Sequence, residues 1–403
     1  MSAPPIRLPS GVRDFLPRAA ARRRAIAARV TDVFEAWGFA RIITPVFEVA
    51  DVLERGLGES SRAAAIRFVE PGTGEVVALR PDITPQIARV VATRLTEGHG
   101  SIRLCYEGAV VRLTSEHVQR EILQAGIELI DAPAPRGDAE VLAVAASALA
   151  ASKLPETRLD LGHVAPARYV LAAAPDDDVR AHLAQAINNK DRVGLRVIAK
   201  QLPEHIAPLA VALAGLWGAA DVTLAKANAL PWPVEVRAAL AELRAVIDAF
   251  GELADRPVPA LTIDLGDLRG EGYYTGVRFA GYAGGAPQAV LRGGRYDELI
   301  GRYGRAAKAT GFAIDLEALA EAQRSVGVAL PVGSVGVAVF GAGAEDYARQ
   351  LRALGVRAVV TSDAPTEQWL TSSGLDASLS VDDVKLADLS AYAKQLEENR
   401  CQS

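Results

Sequence analysis

The segment Arg120–Ile130 carries an amide, a gap and a carboxylate at alternate positions: Gln124, Gly126 and Glu128. Side chains of a strand alternate between faces, so these three share one face, and Leu123, Ala125, Ile127 and Leu129 share the other. The apolar set belongs against a helix layer, and Gly126 leaves room for a ligand to approach the backbone. The same pattern also suits a strand with one solvent face. A second group is Leu268-Arg269-Gly270-Glu271-Gly272-Tyr273-Tyr274-Thr275-Gly276, ahead of a strand. Arg269 suits a carboxylate, and Tyr273 and Tyr274 suit an aromatic ring or an imidazole. A tight turn with core tyrosines would read identically. A third group, Arg80-Pro81-Asp82-Ile83-Thr84, offers an anion and a hydroxyl at a helix start, for an ammonium group or for simple capping. A fourth, Leu291-Arg292-Gly293-Gly294-Arg295-Tyr296-Asp297, predicts a Gly-Gly-Arg turn that approaches a phosphate or ends a strand. Together these groups supply what a free amino acid needs. There is a carboxylate for its ammonium, an arginine for its carboxylate and a Glu–Tyr pair for a polar side chain. An imidazole suits that pair, because its two ring nitrogens need an acceptor and a partner.

The elements that must position these groups follow from periodicity. A helix is predicted from Ala19 to Trp37, with Ile26, Val30, Val33 and Phe34 at helical spacing and Gly38 as its stop. A strand over 39–43 ends at Thr44-Pro45, and residues 64–80 read as a hairpin around Pro71-Gly72-Thr73-Gly74. Thr84-Pro85 predicts a helix start, with Thr84 as the cap and Pro85 at the first helical position. Strands are expected over 102–112 and 120–130, joined by the polar loop 113–119. Residues 138–255 read as mostly helical, with a helical insertion over about 175–255. Strand character returns at 260–265, 277–280 and 289–291. A helix is expected over 310–322, then a β-α-β pattern after Pro331 and a helical tail from about 385.

Composition narrows the classes. At 403 residues, 50% hydrophobic and 23% charged, the chain is neither disordered nor collagen-like. A formal net charge of −5 argues against a protein that lives mainly on phosphate contacts. Two distant cysteines, Cys105 and Cys401, suggest a reducing compartment. No apolar run of signal-peptide or membrane-span length occurs. His99, His117, His163, His182 and His205 show no ligand spacing, so no metal is expected. Gly341-Ala342-Gly343-Ala344 lacks the third glycine of a dinucleotide fingerprint, and Val381-Asp382-Asp383 precedes no phosphate loop.

Several segments, in order, resemble the class II aminoacyl-tRNA synthetases, specifically the histidyl-tRNA synthetase family. They are LPSGVRDFLP, the helix and strand ending at Thr44-Pro45, LRPDIT, RLCYEGAVVR through QAGIEL, RGEGYYTG, and RGGRYDELI with GFAIDLEAL. The resemblance spans roughly residues 6–322. It implies an α+β fold, an antiparallel sheet flanked by helices, over 1–322, with a small C-terminal α/β domain over 323–403. Ala318 stands where the synthetase carries an ATP-clamping arginine, the loop 113–119 is short and poor in basic residues, and about 80 residues follow the last motif. Losing preorganised cations costs several kcal/mol of transition-state stabilisation, which argues against adenylation. The pattern is similar to a paralogous family, the regulatory subunits of short-form ATP phosphoribosyltransferases.

That resemblance implies a cytoplasmic, non-catalytic subunit without a cofactor. It would activate a short catalytic subunit within a hetero-octamer, self-associate as a dimer, and mediate feedback inhibition by L-histidine. No tRNA or membrane partner is expected. On this resemblance Asp82 and Thr84 hold the histidine ammonium, Arg269 and Gln124 its carboxylate, with Arg112 nearby. Glu128 and Tyr274 face the imidazole, and Tyr273 lines the site. Asp82 replaces the synthetase's usual glutamate and Gly272 an acidic residue. The alternatives are a histidyl-tRNA synthetase or a histidine-binding fragment of one, and another amino-acid-binding paralogue.

Overall fold

The structure is a computed structural model that describes residues 7–95, 100–113, 119–255, 257–270, 272–329 and 335–402. The chain forms two units, Met1–Ala329 and Leu330–Ser403. Helix α1 (Pro17–Ala36) leads into a two-residue strand β1 (Ala40–Arg41). A small antiparallel sheet follows, made of β2 (Phe47–Val49), β3 (Arg67–Val69) and β4 (Val76–Leu79); the expected hairpin pairs Phe68 with Val77. Next come α2 (Thr84–Thr93), β5 (Ile102–Val111), β6 (Glu121–Ile130), α3 (Arg136–Ala151) and β7 (Arg158–His163). Short helices over 164–228, with the strand β8 (Trp217–Ala219), precede the long α4 (Val234–Leu253). The unit is completed by β9 (Ala260–Asp264), β10 (Val277–Tyr282), β11 (Leu291–Arg295), β12 (Ala309–Asp315) and α5 (Leu316–Ser325).

One nine-stranded sheet organises this unit, in the order β1-β5-β6-β12-β11-β10-β7-β9-β8. It is antiparallel apart from the β1–β5 and β7–β9 pairs. One face packs on α1, α3, α4 and α5 through Ile26, Val30 and Phe34, with Ala125, Ile127 and Leu129 supplied by β6. This is the apolar face that the alternation predicts. The other face of β6 is also buried, under α2, so the strand has no solvent face.

Three local expectations are corrected. The predicted helix 310–322 is a strand to Asp315 and a helix only from Leu316. Thr310-Gly-Phe-Ala-Ile lies between β6 and β11, where a buried strand has no polar alternation to mark its period. Asp315 then caps α5, accepting from the backbone N–H groups of Glu317 and Ala318, both at 2.9 Å. The Gly-Gly-Arg segment is not a turn but the body of β11, paired on both sides. A Cβ on Gly293 would stand 2.5 Å from the Gly311 carbonyl oxygen, so the neighbouring strand demands glycine there. Thr84 does not cap α2, since Ile83 occupies that position.

The second unit is a three-stranded parallel sheet, β14-β13-β15, of β13 (Gly336–Phe340), β14 (Arg357–Thr361) and β15 (Ala377–Ser380). Its core joins Val337, Val339 and Leu379 to Ala348 and Leu351 of the helix Ala344–Ala353 and to Leu389 and Ala393 of the C-terminal helix. No helix among the described residues is long and apolar enough to cross a membrane.

Candidate functional site

The site lies on the α2-covered face of the sheet. Glu128, 2% exposed, and Gln124, 6% exposed, project from β6 on either side of Gly126. Thr84 Oγ1 donates to Glu128 Oε1 at 2.7 Å, so the hydroxyl at the start of α2 serves a carboxylate on the sheet. Asp82 Oδ1 accepts the Thr84 backbone N–H at 3.3 Å, which fixes the loop ahead of α2. The loop is further tied to β5, because Arg112 donates through Nε to the Pro81 carbonyl at 2.7 Å.

Four buried polar atoms in and beside this space have no hydrogen-bond partner: Glu128 Oε2, Gln124 Oε1, Tyr106 OH and Tyr296 OH. Native interiors rarely leave such groups unpaired, and each costs about 1–3 kcal/mol. Glycines create the room. A Cβ on Gly126 would come within 2.5 Å of Tyr106 OH, and one on Gly311 within 2.7 Å of Tyr296 OH and against Glu128 Oε2. Tyr273 stacks at 5.3 Å on the Tyr296 ring and meets Tyr274 edge-on at 5.2 Å. Tyr274 lies beside Gly294, whose φ of 156° and lack of a Cβ admit the ring.

Electrostatics follow from burial. Desolvation pushes the Glu128 carboxyl well above the usual carboxylate range, and the nearby Asp82 charge adds to this, while the Thr84 hydrogen bond opposes it. Desolvation, with Glu128 and Asp82, also raises Tyr106 and Tyr273 well above the ordinary phenol value, and Tyr274 is raised for the same reasons. These tyrosines keep their protons at neutral pH and are available as donors.

A second polar group sits at the β9–β10 connection. Asp267 Oδ1 accepts from Arg269 Nε at 2.9 Å and Oδ2 from Arg269 Nη2 at 2.9 Å; Arg278 also donates to Oδ2. Burial alone would raise Asp267, but the Arg269 hydrogen bonds and the Arg278 charge hold it far below the usual range. Arg269 also reaches Tyr282 OH at 3.2 Å. Arg168 donates to the Tyr274 carbonyl, which holds the tyrosine segment against helix Val164–Leu171.

Asp82, Thr84, Gln124, Glu128, Tyr273 and Tyr274 thus converge, while Arg112 and Arg269 have part of their donors engaged at its edge. Glu271 and most of the loop 113–119 lie outside the described residues. Sequence reasoning missed Tyr106 and Asp267, and named Tyr296 in the Gly-Gly-Arg group without giving it a role. Tyr106 is set opposite Gly126 by sheet register, which no local pattern reveals. Sequence reasoning also named Arg80 ahead of Asp82 but gave it no role. That side chain is buried and donates to the Ala109, Thr44 and Pro45 carbonyls, clamping the loop 80–84 to the sheet. Among the described residues no group of His, Cys, Asp and Glu is arranged for a metal.

Comparisons with known proteins show the family. The histidyl-tRNA synthetase family model matches residues 11–319. An ATP phosphoribosyltransferase regulatory subunit from Anaeromyxobacter dehalogenans is 43% identical over 79% of this chain and 92% of its own length. The chain belongs to the ATP phosphoribosyltransferase regulatory-subunit family. A regulatory subunit from Geobacter metallireducens is 40% identical over 78% of this chain and 73% of its own length. The crystal structure of an ATP phosphoribosyltransferase regulatory subunit/histidyl-tRNA synthetase from Bacillus halodurans superposes with a TM-score of 0.80 at 26% identity, covering 94% of this chain and 99% of that one. The class II synthetase-like α+β architecture is thereby shared, and membership assigns the chain a regulatory role in histidine biosynthesis.

Proposed function

We propose that the pocket binds free L-histidine, and that the chain uses it to report histidine supply to a short-form ATP phosphoribosyltransferase catalytic subunit in the cytoplasm. The observation that carries this reading is the unpaired Oε2 of Glu128. Its partner oxygen is already supplied by Thr84, so one acceptor remains, deep among protonated tyrosines. A neutral imidazole presents one N–H and one bare nitrogen. Glu128 Oε2 takes the N–H, and a tyrosine hydroxyl donates to the bare nitrogen. Asp82 faces the ammonium, and Gln124, Arg269 and Arg112 lie toward the carboxylate.

The same reading makes the chain a non-catalytic subunit. Ala318 offers no cation where the synthetase resemblance calls for an ATP clamp. The neighbouring Glu317 is buried between Arg13 at 3.0 Å and Arg23 at 2.8 Å, and pairs with both cations. A ligand in this pocket acts on a partner's active site only through its differential affinity for two states of the assembly, which we take to be a hetero-octamer containing dimers of this chain. The test mixes the chain with a short catalytic subunit and follows phosphoribosyl transfer with and without histidine. Activation that histidine reverses is expected. No activation, or robust histidine-dependent ATP–pyrophosphate exchange by this chain alone, contradicts the proposal.

A further inference from the structure

Register lays out the floor of the pocket in rows. Gly126, Ala313, Arg292 and Ala280 are opposite one another across β6, β12, β11 and β10. Glu128, Gly311, Gly294 and Arg278 form the adjacent row, and Gln124 and Asp315 begin the row on the other side. Residues directly opposite in antiparallel strands share a face. Arg292 therefore stands in the row between the Glu128 row and the Gln124 row, two strands from Gly126, or about 10 Å at the usual strand spacing. Only Ala313 stands between it and Gly126 in that row.

The arginines on this face differ in what they touch. Arg269 and Arg278 both hold Asp267. Arg292 is exposed, and among the described residues it has no hydrogen-bonded or ion-paired acceptor. Its neighbours are Arg269, Asp267, Tyr282 and Tyr274, and partial desolvation together with the Arg269 charge disfavours its own charged form. The charge of an anion placed against it would offset both effects.

We propose that Arg292 is the residue that fixes the ligand's carboxylate, and so selects the intact amino acid over analogues that lack that group. The inference rests on the reading of the pocket as a histidine site. It assigns to Arg292 the free cation that Arg269, engaged on Asp267 by two donors, supplies only in part. A guanidinium fork matches a carboxylate in a bidentate way, and an ammonium does not.

The experiment is a calorimetric titration of the full chain with L-histidine and with L-histidinol, which keeps the imidazole and ammonium but has no carboxylate. It is run on the unaltered protein, Arg292→Ala and Arg292→Lys. Arg292 is exposed, so thermal unfolding should show both variants folded. The unaltered chain is expected to prefer histidine. Arg292→Ala should lose about 10- to 100-fold in histidine affinity, the range of a charge-assisted hydrogen bond, and change histidinol affinity less than about threefold. Arg292→Lys should fall between. If the unaltered chain binds neither ligand, the histidine reading itself falls and the assignment with it. If the unaltered chain binds and discriminates, and Arg292→Ala keeps the same ratio, only the assignment of Arg292 is overturned.

Discussion

Two polar clusters lie on the same face of one sheet and could hardly differ more in their state. Around Asp267 each carboxylate oxygen has a donor, and two guanidinium groups neutralise it. Around Glu128 one oxygen is bonded to Thr84, the other has no partner, and three neighbouring side-chain atoms are equally unpaired. Both carboxylates are buried, yet Asp267 is held ionised and Glu128 is driven toward its neutral form. A closed network holds a turn in place. An open one leaves buried acceptors and hydroxyls unpaired, which marks a binding site more specifically than residue types alone.

The contrast breaks down if both clusters respond alike to substitution. The largest effect is expected at Asp267. Asp267→Ala leaves Arg278 buried and uncompensated, and should cost about 3–5 kcal/mol in denaturant unfolding. Glu128→Gln should act in the opposite direction on the ligand-free protein, raising the melting temperature at neutral pH. The sign follows from linkage. A carboxyl whose folded value lies above its unfolded value binds more protons in the folded state. Unaltered protein therefore loses stability as pH rises from about 4.3, the ordinary glutamate value, through the raised folded value. The Gln variant should lack that component of the slope, and coincident pH–stability profiles would show Glu128 unperturbed. The smallest effect is expected at Thr84. Thr84→Val keeps the volume and removes the donor to Glu128 Oε1, and should weaken histidine binding by about 1 kcal/mol, measured by calorimetry.

Much of this arrangement was legible in the sequence, and the exceptions have physical reasons. The two faces of β6 followed from a period of two, because Ala125, Ile127 and Leu129 are apolar and their neighbours are not. The Thr84–Asp82 loop was recognisable as a helix start, but the hydroxyl's partner lies 44 residues away and no local rule reaches it. Strand β12 was misread because a short apolar run buried on both sides carries no period. Arg292-Gly293-Gly294-Arg295 was misread because paired glycines mark turns. Here they are small so that Phe312, Phe279 and Tyr274 can fit against the strand. Tyr106 enters the site through sheet register and Tyr296 through its ring contact with Tyr273, and both require the fold. Asp267 stands eleven residues from Arg278, and its role becomes visible when the β9–β10 connection closes.

The most direct test of the central claim, that the open acceptor of Glu128 is the imidazole's partner, is a calorimetric titration of the full chain and of Glu128→Ala with L-histidine. One site per chain is expected in the unaltered protein. A loss of roughly 5- to 150-fold is expected in the variant, because the buried imidazole N–H is left without an acceptor. An unchanged affinity in folded Glu128→Ala would remove Glu128 from the site and contradict the account.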